Sequence, residues 1–319
     1  MSKFIAVTIG DIDGIGINLL VKEWRNNKIN NFVIITNLSI FNKLKKISNK
    51  KINLIKYNNK INNFNKLKLN ILNIETKNKY TNVLDSLKKT YDLTKKGLFI
   101  GIVTLPLNKK KINVKVDKNF IDQTTFFSNL EKNQHSNMIF LYKKKFFIPL
   151  TTHIELKNVY KKFKNNNFLY KKIFNINKTL KNDFNIKKPK LAIAGINPHS
   201  GENGLISKDE EKYLIPIIKK LKKNKINIRG PFAGDSIINK SNINEYNAFL
   251  FTFHDQALIP FKIISKFEGI NYTSNLKIIR ISPSHGTATN IINNKIASSK
   301  GLINSFKTIN LIDKNRQKI

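Results

Sequence analysis

Cysteine is absent from the 319-residue chain. A disulfide framework, a thiolate metal centre and a cysteine nucleophile are therefore excluded, so any metal ion must be held by nitrogen and oxygen ligands. Long apolar runs are also missing, since none approaches the roughly 20 residues of a membrane-spanning helix. The N-terminal MSKFIAVTIGD enters a strand-like segment and does not resemble a signal peptide. We therefore expect a soluble, cytoplasmic protein that does not associate with membranes.

Arginine is scarce in a strongly basic chain. The formal net charge is +38, yet only four of the 58 basic residues are arginines. Dense positive charge is the footprint of nucleic-acid binding, but phosphate and base recognition favour the bidentate arginine fork. The lysines are spread along the whole chain among asparagines and isoleucines. We interpret the charge as a solvated surface and expect no specific nucleic-acid partner. A basic nucleic-acid-binding protein remains a low-ranked alternative.

What the sequence does contain is a series of short apolar runs with the β-branched content of buried parallel strands. They are Phe4–Thr8, Phe32–Thr36, Leu98–Thr104, Met138–Tyr142, Leu191–Ile196, Ala248–Phe253 and Lys277–Ile281. The segment Asp209–Lys223 has a helical pattern, with Ser207 as a candidate N-cap and a kink expected at Pro216. This alternation predicts an α/β fold, and the length favours two lobes. We interpret the Lys/Asn-rich region 43–79 as poorly specified surface structure.

Three of the five histidines directly follow apolar stretches that resemble strands. They are His153, His199 and His254. In open α/β sheets the ligand crevice lies at the carboxyl ends of the strands. Three neutral imidazoles and a substrate oxygen would suit a zinc-like ion with an open coordination position. Any one of these histidines alone would be interpreted as structural, but their shared placement favours a metal site.

Glycine loops and scattered cations indicate where anions could bind. The loop Thr8–Gly16 follows the first strand and precedes a helix-like segment, but it lacks the G-x-G-x-x-G order of a dinucleotide site. A second loop, Ser282–Ala288, lies between a strand and the start of a helix. Lys262, Asn271 and Arg280 offer two cations and an amide to a phosphate or carboxylate. Arg280 lies in a strand run, where a structural ion pair is the alternative explanation.

Together these motifs resemble the 4-hydroxythreonine-4-phosphate dehydrogenase family. The matching stretches are Gly10-Asp11-x-x-Gly14-Ile15-Gly16, Val103-Thr104-x-Pro106-x-Asn108-Lys109, Asn197-Pro198-His199-Ser200-Gly201-Glu202, Phe232-Ala233-Gly234-Asp235, His254-Asp255-Gln256-Ala257-Leu258 and Ser282-x-x-His285-Gly286-Thr287-Ala288. The resemblance implies two α/β lobes with a cleft between them, similar to isocitrate and isopropylmalate dehydrogenases. We place the first lobe at 1–120 with 283–319 and the second at 121–282. A homodimer with a shared active site is also implied.

The same resemblance implies roles for individual residues. It gives metal ligands at His153, His199 and His254, the last supplied by the second subunit. The implied substrate-binding positions are Gln123, Thr124, Lys262, Asn271 and Arg280. The loop His285-Gly286-Thr287-Ala288 is similar to the cofactor-binding loop of the related dehydrogenases. The scarce carboxylates Asp235 and Asp255 are candidates for proton handling or for hydrogen bonds that orient the histidines.

The implied reaction uses NAD or NADP and a divalent ion such as zinc, magnesium or cobalt. It oxidises 4-phosphohydroxy-L-threonine at C3 and then decarboxylates the product to 3-amino-2-oxopropyl phosphate, in the synthesis of pyridoxal 5'-phosphate. Five positions depart from the family pattern: Gln123 replaces a histidine, Thr125 an acid, Leu105 a glycine, and Ile12-Asp13 a Pro-Ala pair. Glutamine cannot carry charge or shuttle protons. Two alternatives therefore remain, a related metal-dependent dehydrogenase of another phosphorylated hydroxy acid and a weakly active, degenerate member.

Overall fold

The computed structural model describes residues 4–11, 13–37, 40–49, 51–56, 64–74, 81–132, 135–284 and 298–319. Its strands, in chain order, are β1 (Ile5–Thr8), β2 (Phe32–Thr36), β3 (Ile52–Lys56), β4 (Leu69–Asn73), β5 (Ile102–Thr104), β6 (Asn137–Tyr142), β7 (Lys145–Pro149), β8 (Lys190–Ala194), β9 (Asn227–Phe232), β10 (Ala248–Phe251), β11 (Ile270–Ser274) and β12 (Arg280–Pro283).

The α-helices of the described residues are α1 (Gly16–Arg25), α2 (Phe41–Ile47), α3 (Thr81–Lys95), α4 (Lys109–Lys115), α5 (Gln123–Leu130), α6 (Val159–Phe163), α7 (Asn166–Asn182), α8 (Ile215–Lys223), α9 (Lys240–Glu245), α10 (His254–Ser265) and α11 (Lys300–Arg316). Side-chain caps start several of them. Asp122 accepts a hydrogen bond from the Thr125 amide at the start of α5, and Asn165 caps α7 in the same way. None of the described helices is long and apolar enough to cross a membrane.

Backbone contacts divide the chain into two compact units. Unit 1 comprises Met1–Asn133 and Leu276–Asp313, and unit 2 comprises Gln134–Asn275 and Lys314–Ile319. These bounds differ from the lobes expected from the sequence, because 121–133 and 276–282 lie in unit 1 and 314–319 in unit 2. Local contacts explain both differences. Arg280 of β12 donates hydrogen bonds to Gln123 and Thr124 of α5, while Arg316 donates to Asp183 of unit 2 at 2.8 Å.

Unit 1 contains a parallel sheet in the order β3-β4-β2-β1-β5-β12. Every residue of β1, β2, β5 and β12 is buried, as expected for strands covered on both faces. Helix α3 packs on β1, β2 and β5. The carboxyl ends of the neighbouring strands β1 and β5 therefore meet at one edge of this sheet.

Unit 2 contains the strand order β11-β6-β7-β10-β8-β9. Strand β6 pairs antiparallel with β11 and β7, whereas the neighbours from β7 through β9 are parallel. Its core includes the buried rings of Phe147, Phe249, Phe251 and Phe261. Helix α10 packs on β6, β7 and β10. The parallel part of this sheet brings the carboxyl ends of β7, β10 and β8 side by side.

The predicted α/β fold is confirmed, and the predicted strands correspond to β1, β2, β5, β6, β8, β10 and β12 with shifts at their ends.

The interpretation of 43–79 as poorly specified surface structure is wrong. Its described residues include most of α2 and all of β3 and β4, and the side chains of Leu69, Ile71 and Leu72 are buried. The Asp209–Lys223 pattern divides into a wide π-helical turn, Glu210–Leu214, and α8, with Pro216 in the first turn of α8.

Candidate active site

Three histidines of unit 2 follow three neighbouring parallel strands. His153 comes after β7, His254 after β10, and His199 after β8. The strand order β7-β10-β8 places all three segments at one edge of the sheet. His153 and His199 have positive φ angles, of 51° and 49°, and both side chains are exposed. This is the placement that the sequence predicted.

Hydrogen bonds connect the carboxyl ends of the strands that precede the histidines. The Thr151 hydroxyl donates to the Thr252 carbonyl at 2.6 Å, and this joins β7 to β10 two residues before His153 and His254. The side-chain carbonyl of Gln256 accepts from the Thr252 amide at 2.8 Å, and its amide donates to the Gly195 carbonyl at 3.3 Å. Gln256 thereby connects the β10–α10 junction to the end of β8. The sequence had given it no role beyond its place in the family motif.

His153 and His254 lie side by side within one chain. Their ring centroids are 5.3 Å apart. The Nδ1 atom of His254 is 2.7 Å from Oδ1 of Asp255, a contact that fixes the ring and directs Nε2 away from the carboxylate. Within one chain His254 is thus a neighbour of His153, and the implied supply of His254 by the second subunit stays a prediction.

This histidine pair fits a divalent ion. Two imidazole nitrogens at about 2.0–2.1 Å from a tetrahedral ion place the ring centres about 5 Å apart, close to the observed spacing. The described residues of one chain do not bring three or more histidine or carboxylate side chains within reach of one ion. A complete ligand set therefore needs a contribution beyond the pair.

His199 lies in a turn of unusual handedness. Residues 199 to 203 all have positive φ angles, between 46° and 81°, and four of these five residues are not glycine. L-residues rarely adopt this conformation in succession, because Cβ approaches the following carbonyl oxygen. Outside contacts must therefore stabilise the turn that carries the histidine.

In unit 1, Arg280, the first residue of β12, lies at the centre of a cluster of hydrogen bonds. It is 1% exposed and donates hydrogen bonds to the hydroxyl of Thr104 at 2.6 and 3.0 Å and to Thr124 at 3.3 Å. Its guanidinium also donates to Oε1 of Gln123 and lies 5.8 Å from the ring centre of Phe127. Burial lowers the pKa of Arg280 to about 10, while the carboxylate of Asp122 acts in the opposite direction. A buried cation held by hydroxyl and amide groups is suited to an anionic ligand.

Three of the five departures from the family pattern lie in this arrangement. Gln123 accepts from Arg280 and donates from Nε2 to the Leu105 carbonyl at 3.1 Å, so two of the departing positions contact each other. Thr125 donates from its amide and hydroxyl to Asp122, at 3.0 and 2.8 Å. These residues therefore complete a local network around Arg280.

Comparisons with known proteins identify the family of the chain. The family model described as pyridoxal phosphate biosynthetic protein PdxA matches residues 28–309. The chain belongs to the PdxA family. It is 31% identical to the 4-hydroxythreonine-4-phosphate dehydrogenase of Aquifex aeolicus over 328 residues, covering 98% of this chain and 100% of that protein. The enzyme of the same name from Bacteroides thetaiotaomicron is 28% identical over 74% of this chain, and the match spans 64% of that protein's length.

A solved structure establishes the same fold. The crystal structure of 4-hydroxythreonine-4-phosphate dehydrogenase from Klebsiella pneumoniae matches with a TM-score of 0.80 at 23% identity, covering 98% of this chain and 100% of that one. The resemblance inferred from the sequence is confirmed, and so is membership of a dehydrogenase family that functions in pyridoxal phosphate synthesis. PdxA family membership implies a nicotinamide cofactor and a divalent metal in general.

The remaining predicted residues lie on α10, on β11, after β9 and outside the described residues. Lys262 is exposed on α10, and Asn271 lies on β11 of the same unit. The Asn271 Oδ1 atom is buried and finds no hydrogen-bond partner among the described residues, which suits a ligand-binding amide. Asp235 is exposed in the turn after β9. The predicted cofactor loop, His285 to Ala288, lies outside the described residues, so its role stays a prediction.

Proposed function

We propose that the chain is an NAD-dependent 4-hydroxythreonine-4-phosphate dehydrogenase, which oxidises 4-phosphohydroxy-L-threonine at C3 and releases CO2 to give 3-amino-2-oxopropyl phosphate. The observation that carries the proposal is the His153–His254 pair at metal-sharing distance in a member of the PdxA family. The buried Arg280 adds a cation suited to the anionic substrate. The cytoplasmic location expected from the sequence remains part of this proposal.

Each group of predicted site residues has one role in the proposed reaction. His153, His199 and His254 would hold zinc, magnesium or cobalt, and such an ion would polarise the substrate hydroxyl and stabilise developing negative charge. Asp255 orients the His254 ring through its 2.7 Å contact. Arg280, Gln123, Thr124, Lys262 and Asn271 would bind the phosphate, carboxylate and polar groups of the substrate. The loop from His285 to Ala288 would contact NAD.

A homodimer is part of the proposal, and exposed apolar side chains support it. Such residues follow each of the three histidines at distances of 3 to 13 residues along the chain. They are Leu156, Leu205, Ile206, Ile259, Ile263 and Phe267, each at least half exposed. Ile259 and Ile263 are four residues apart and therefore share one face of α10. A second copy of the chain packed here would cover apolar surface and bring its own histidines close to the site.

The deciding experiment is an assay of reduced nicotinamide formation from 4-phosphohydroxy-L-threonine. We expect turnover with NAD that is abolished by chelation and restored by zinc, magnesium or cobalt. Parallel reactions with NADP, and with a phosphorylated hydroxy acid that lacks the amino group, test cofactor and substrate choice. A clear preference for the substrate without the amino group would replace the proposed reaction with that of a related dehydrogenase. Absence of turnover with every substrate and ion would contradict the proposal.

A further inference from the structure

The turn that carries His199 is held by a carboxylate to which the sequence assigned no role. We propose that Glu210 is a positioning residue, which fixes the left-handed turn so that His199 can bind the divalent ion. The inference rests on the proposed function, because it assumes that His199 is a metal ligand. It adds a residue outside the predicted ligand and substrate sets, and a specific physical means by which that residue acts.

Glu210 is buried and makes several hydrogen bonds to the start of the turn. It is 2% exposed, and its Oε1 accepts from the backbone amides of Ile196 and Asn197 at 2.8 and 2.7 Å. The side-chain amide of Asn197 also donates to Oε2 at 3.2 Å. Buried carboxylates are retained only where hydrogen bonds or charges compensate their desolvation. This carboxylate therefore fixes the backbone two and three residues before His199.

The other side of the same carboxylate faces the middle of the turn. A Cβ atom placed on Gly201 would lie 2.6 Å from Oε2 of Glu210 and 2.5 Å from the Ser207 carbonyl oxygen. On the opposite side, a Cβ atom on Gly195 would lie 2.7 Å from Oγ of Ser200. The turn is thus enclosed between the end of β8 and the Glu210 side chain. Since Glu210 contacts residues before and after His199, it can set the direction of the imidazole without touching it.

A π-helical turn begins at Glu210. This turn, Glu210–Leu214, precedes the regular helix α8. Single π-helical turns inside helices are uncommon overall, but those that occur often lie at functional sites. Glu211, the next residue, is exposed and therefore supplies a matched control for charge.

The experiment compares Glu210→Gln with Glu211→Gln. Each substitution removes one negative charge, but only the first removes a buried acceptor. Zinc affinity is measured by competition with a chromophoric chelator, so the readout does not depend on turnover, and unfolding temperature is measured in parallel. We expect Glu210→Gln to bind zinc about 10- to 100-fold more weakly, the range seen when residues that orient metal ligands are changed. Glu211→Gln should match the wild type.

A double-mutant cycle with His199→Ala separates positioning from general stabilisation. If Glu210 acts through His199, adding Glu210→Gln to His199→Ala should cause no further loss of zinc affinity. Gly201→Ala, which introduces the Cβ clash with Glu210, gives an independent variant and should also weaken zinc binding. Gly201→Ala takes the place of Glu210→Gln in the cycle if the latter does not fold.

The possible outcomes distinguish this inference from the proposed function. Wild-type zinc affinity in Glu210→Gln, with only the unfolding temperature lowered, would show a merely structural role and overturn the inference. An equal loss of affinity in the presence and absence of His199 would overturn it as well. If the wild type binds no divalent ion, the proposed metal site fails, and with it any positioning role for Glu210.

Discussion

At the scale of single residues, the surroundings of Arg280 explain how the chain tolerates Gln123 in place of a histidine. The amide accepts from the buried guanidinium and donates to the Leu105 carbonyl, so both of its polar ends are engaged. A neutral partner leaves the charge of Arg280 available to a substrate anion. The degenerate-enzyme alternative is therefore not required by this substitution.

This explanation predicts opposite effects of Gln123→Glu on stability and on substrate binding. A carboxylate at position 123 would pair with Arg280, so we expect a higher unfolding temperature. The same pairing would neutralise the cation and raise KM for the phosphorylated substrate by about tenfold or more. Gln123→Met is the matched control, which loses the acceptor and should destabilise the fold by about 1–3 kcal/mol. An unchanged KM in Gln123→Glu, or a lower unfolding temperature, would contradict the assignment.

A buried lysine gives a second prediction at this scale. Lys172 on α7 is 8% exposed, and burial lowers its pKa to about 8. Below about pH 8 the folded chain contains the charged lysine and bears the full desolvation penalty. Between the folded pKa of about 8 and the ordinary value of 10.5, only the unfolded chain keeps the proton, so this contribution to the unfolding free energy rises with pH.

We therefore expect Lys172→Met to stabilise the protein by about 3 kcal/mol at pH 7, with a gain that shrinks toward pH 10. Denaturant unfolding at several pH values, compared with wild type, measures this difference. The neighbouring Lys171 is exposed, and Lys171→Met should change stability little at any pH. A gain that is constant with pH would show that packing, and not charge, is responsible.

The sequence identified the chemically distinctive residues but not those that hold them. Scarcity made the histidines and Arg280 visible, and the positions of the three histidines after apolar runs predicted the edge of the sheet where the histidines lie. Glu210 and Gln256 were missed as supports, because each acts on backbone groups that become its neighbours only in the folded chain. A buried acid in a chain with only 20 acidic residues was the available signal.

At the scale of elements, α10 combines a predicted metal ligand with an exposed apolar face. It begins at His254 and carries Ile259 and Ile263, which are 62% and 69% exposed, on one face. An apolar face this close to a predicted metal ligand is more consistent with a protein interface than with isolated surface residues.

Ile263→Glu tests the role of this face directly. We expect the substitution to convert a dimer into a monomer, because a charge would be buried in an apolar contact. Light scattering coupled to gel filtration gives the mass of the particle. Phe174 on α7 is 43% exposed, and Phe174→Glu is a matched control that should leave the mass unchanged. A wild type that is active as a monomer would exclude the shared-site proposal.

Strands in the Lys/Asn-rich region were the main failure of element prediction. In β3 only Ile55 is buried, since this strand pairs with β4 alone in the described sheet. Edge strands commonly carry polar and charged side chains, and here these obscure the apolar pattern. In β4, Leu69, Ile71 and Leu72 are buried, but flanking asparagines interrupt the run. Composition therefore concealed both strands, although each contributes to the parallel sheet.

At the scale of the whole molecule, the proposed sharing of metal ligands can be resolved by mixing inactive variants. The three variants are His153→Ala, His199→Ala and His254→Ala. Since His153 and His254 are neighbours in one chain, we expect no recovery when their variants are mixed. If the partner supplies His199 to the His153–His254 pair, mixtures that include His199→Ala should regain activity, because a heterodimer then holds one complete set of ligands. Recovery with the first and third variants would show instead that His254 crosses to the partner, as the family resemblance implies.

The charge of +38 leads to a prediction about the entire surface. Evenly spread lysines should bind DNA loosely at low salt through counterion release, without sequence preference. At physiological ionic strength, where the screening length is about 8 Å, this binding should fade. Titration of unrelated duplexes and single strands at rising salt measures it. Tight, selective binding that persists at physiological salt would reveal a nucleic-acid function.

The discontinuous path of unit 1 also determines the order in which the protein can be completed on the ribosome. Strand β12, which closes the sheet against β5, is translated 176 positions after the end of β5, counted from Thr104 to Arg280. At about 5–20 residues per second, the N-terminal strands wait roughly 10–35 seconds for this neighbour. During that time the edge of β5 remains open to other chains. The residues of unit 2 are translated in the meantime and can fold first. Chaperone protection therefore matters most for the incomplete sheet of unit 1, before β12 pairs with β5.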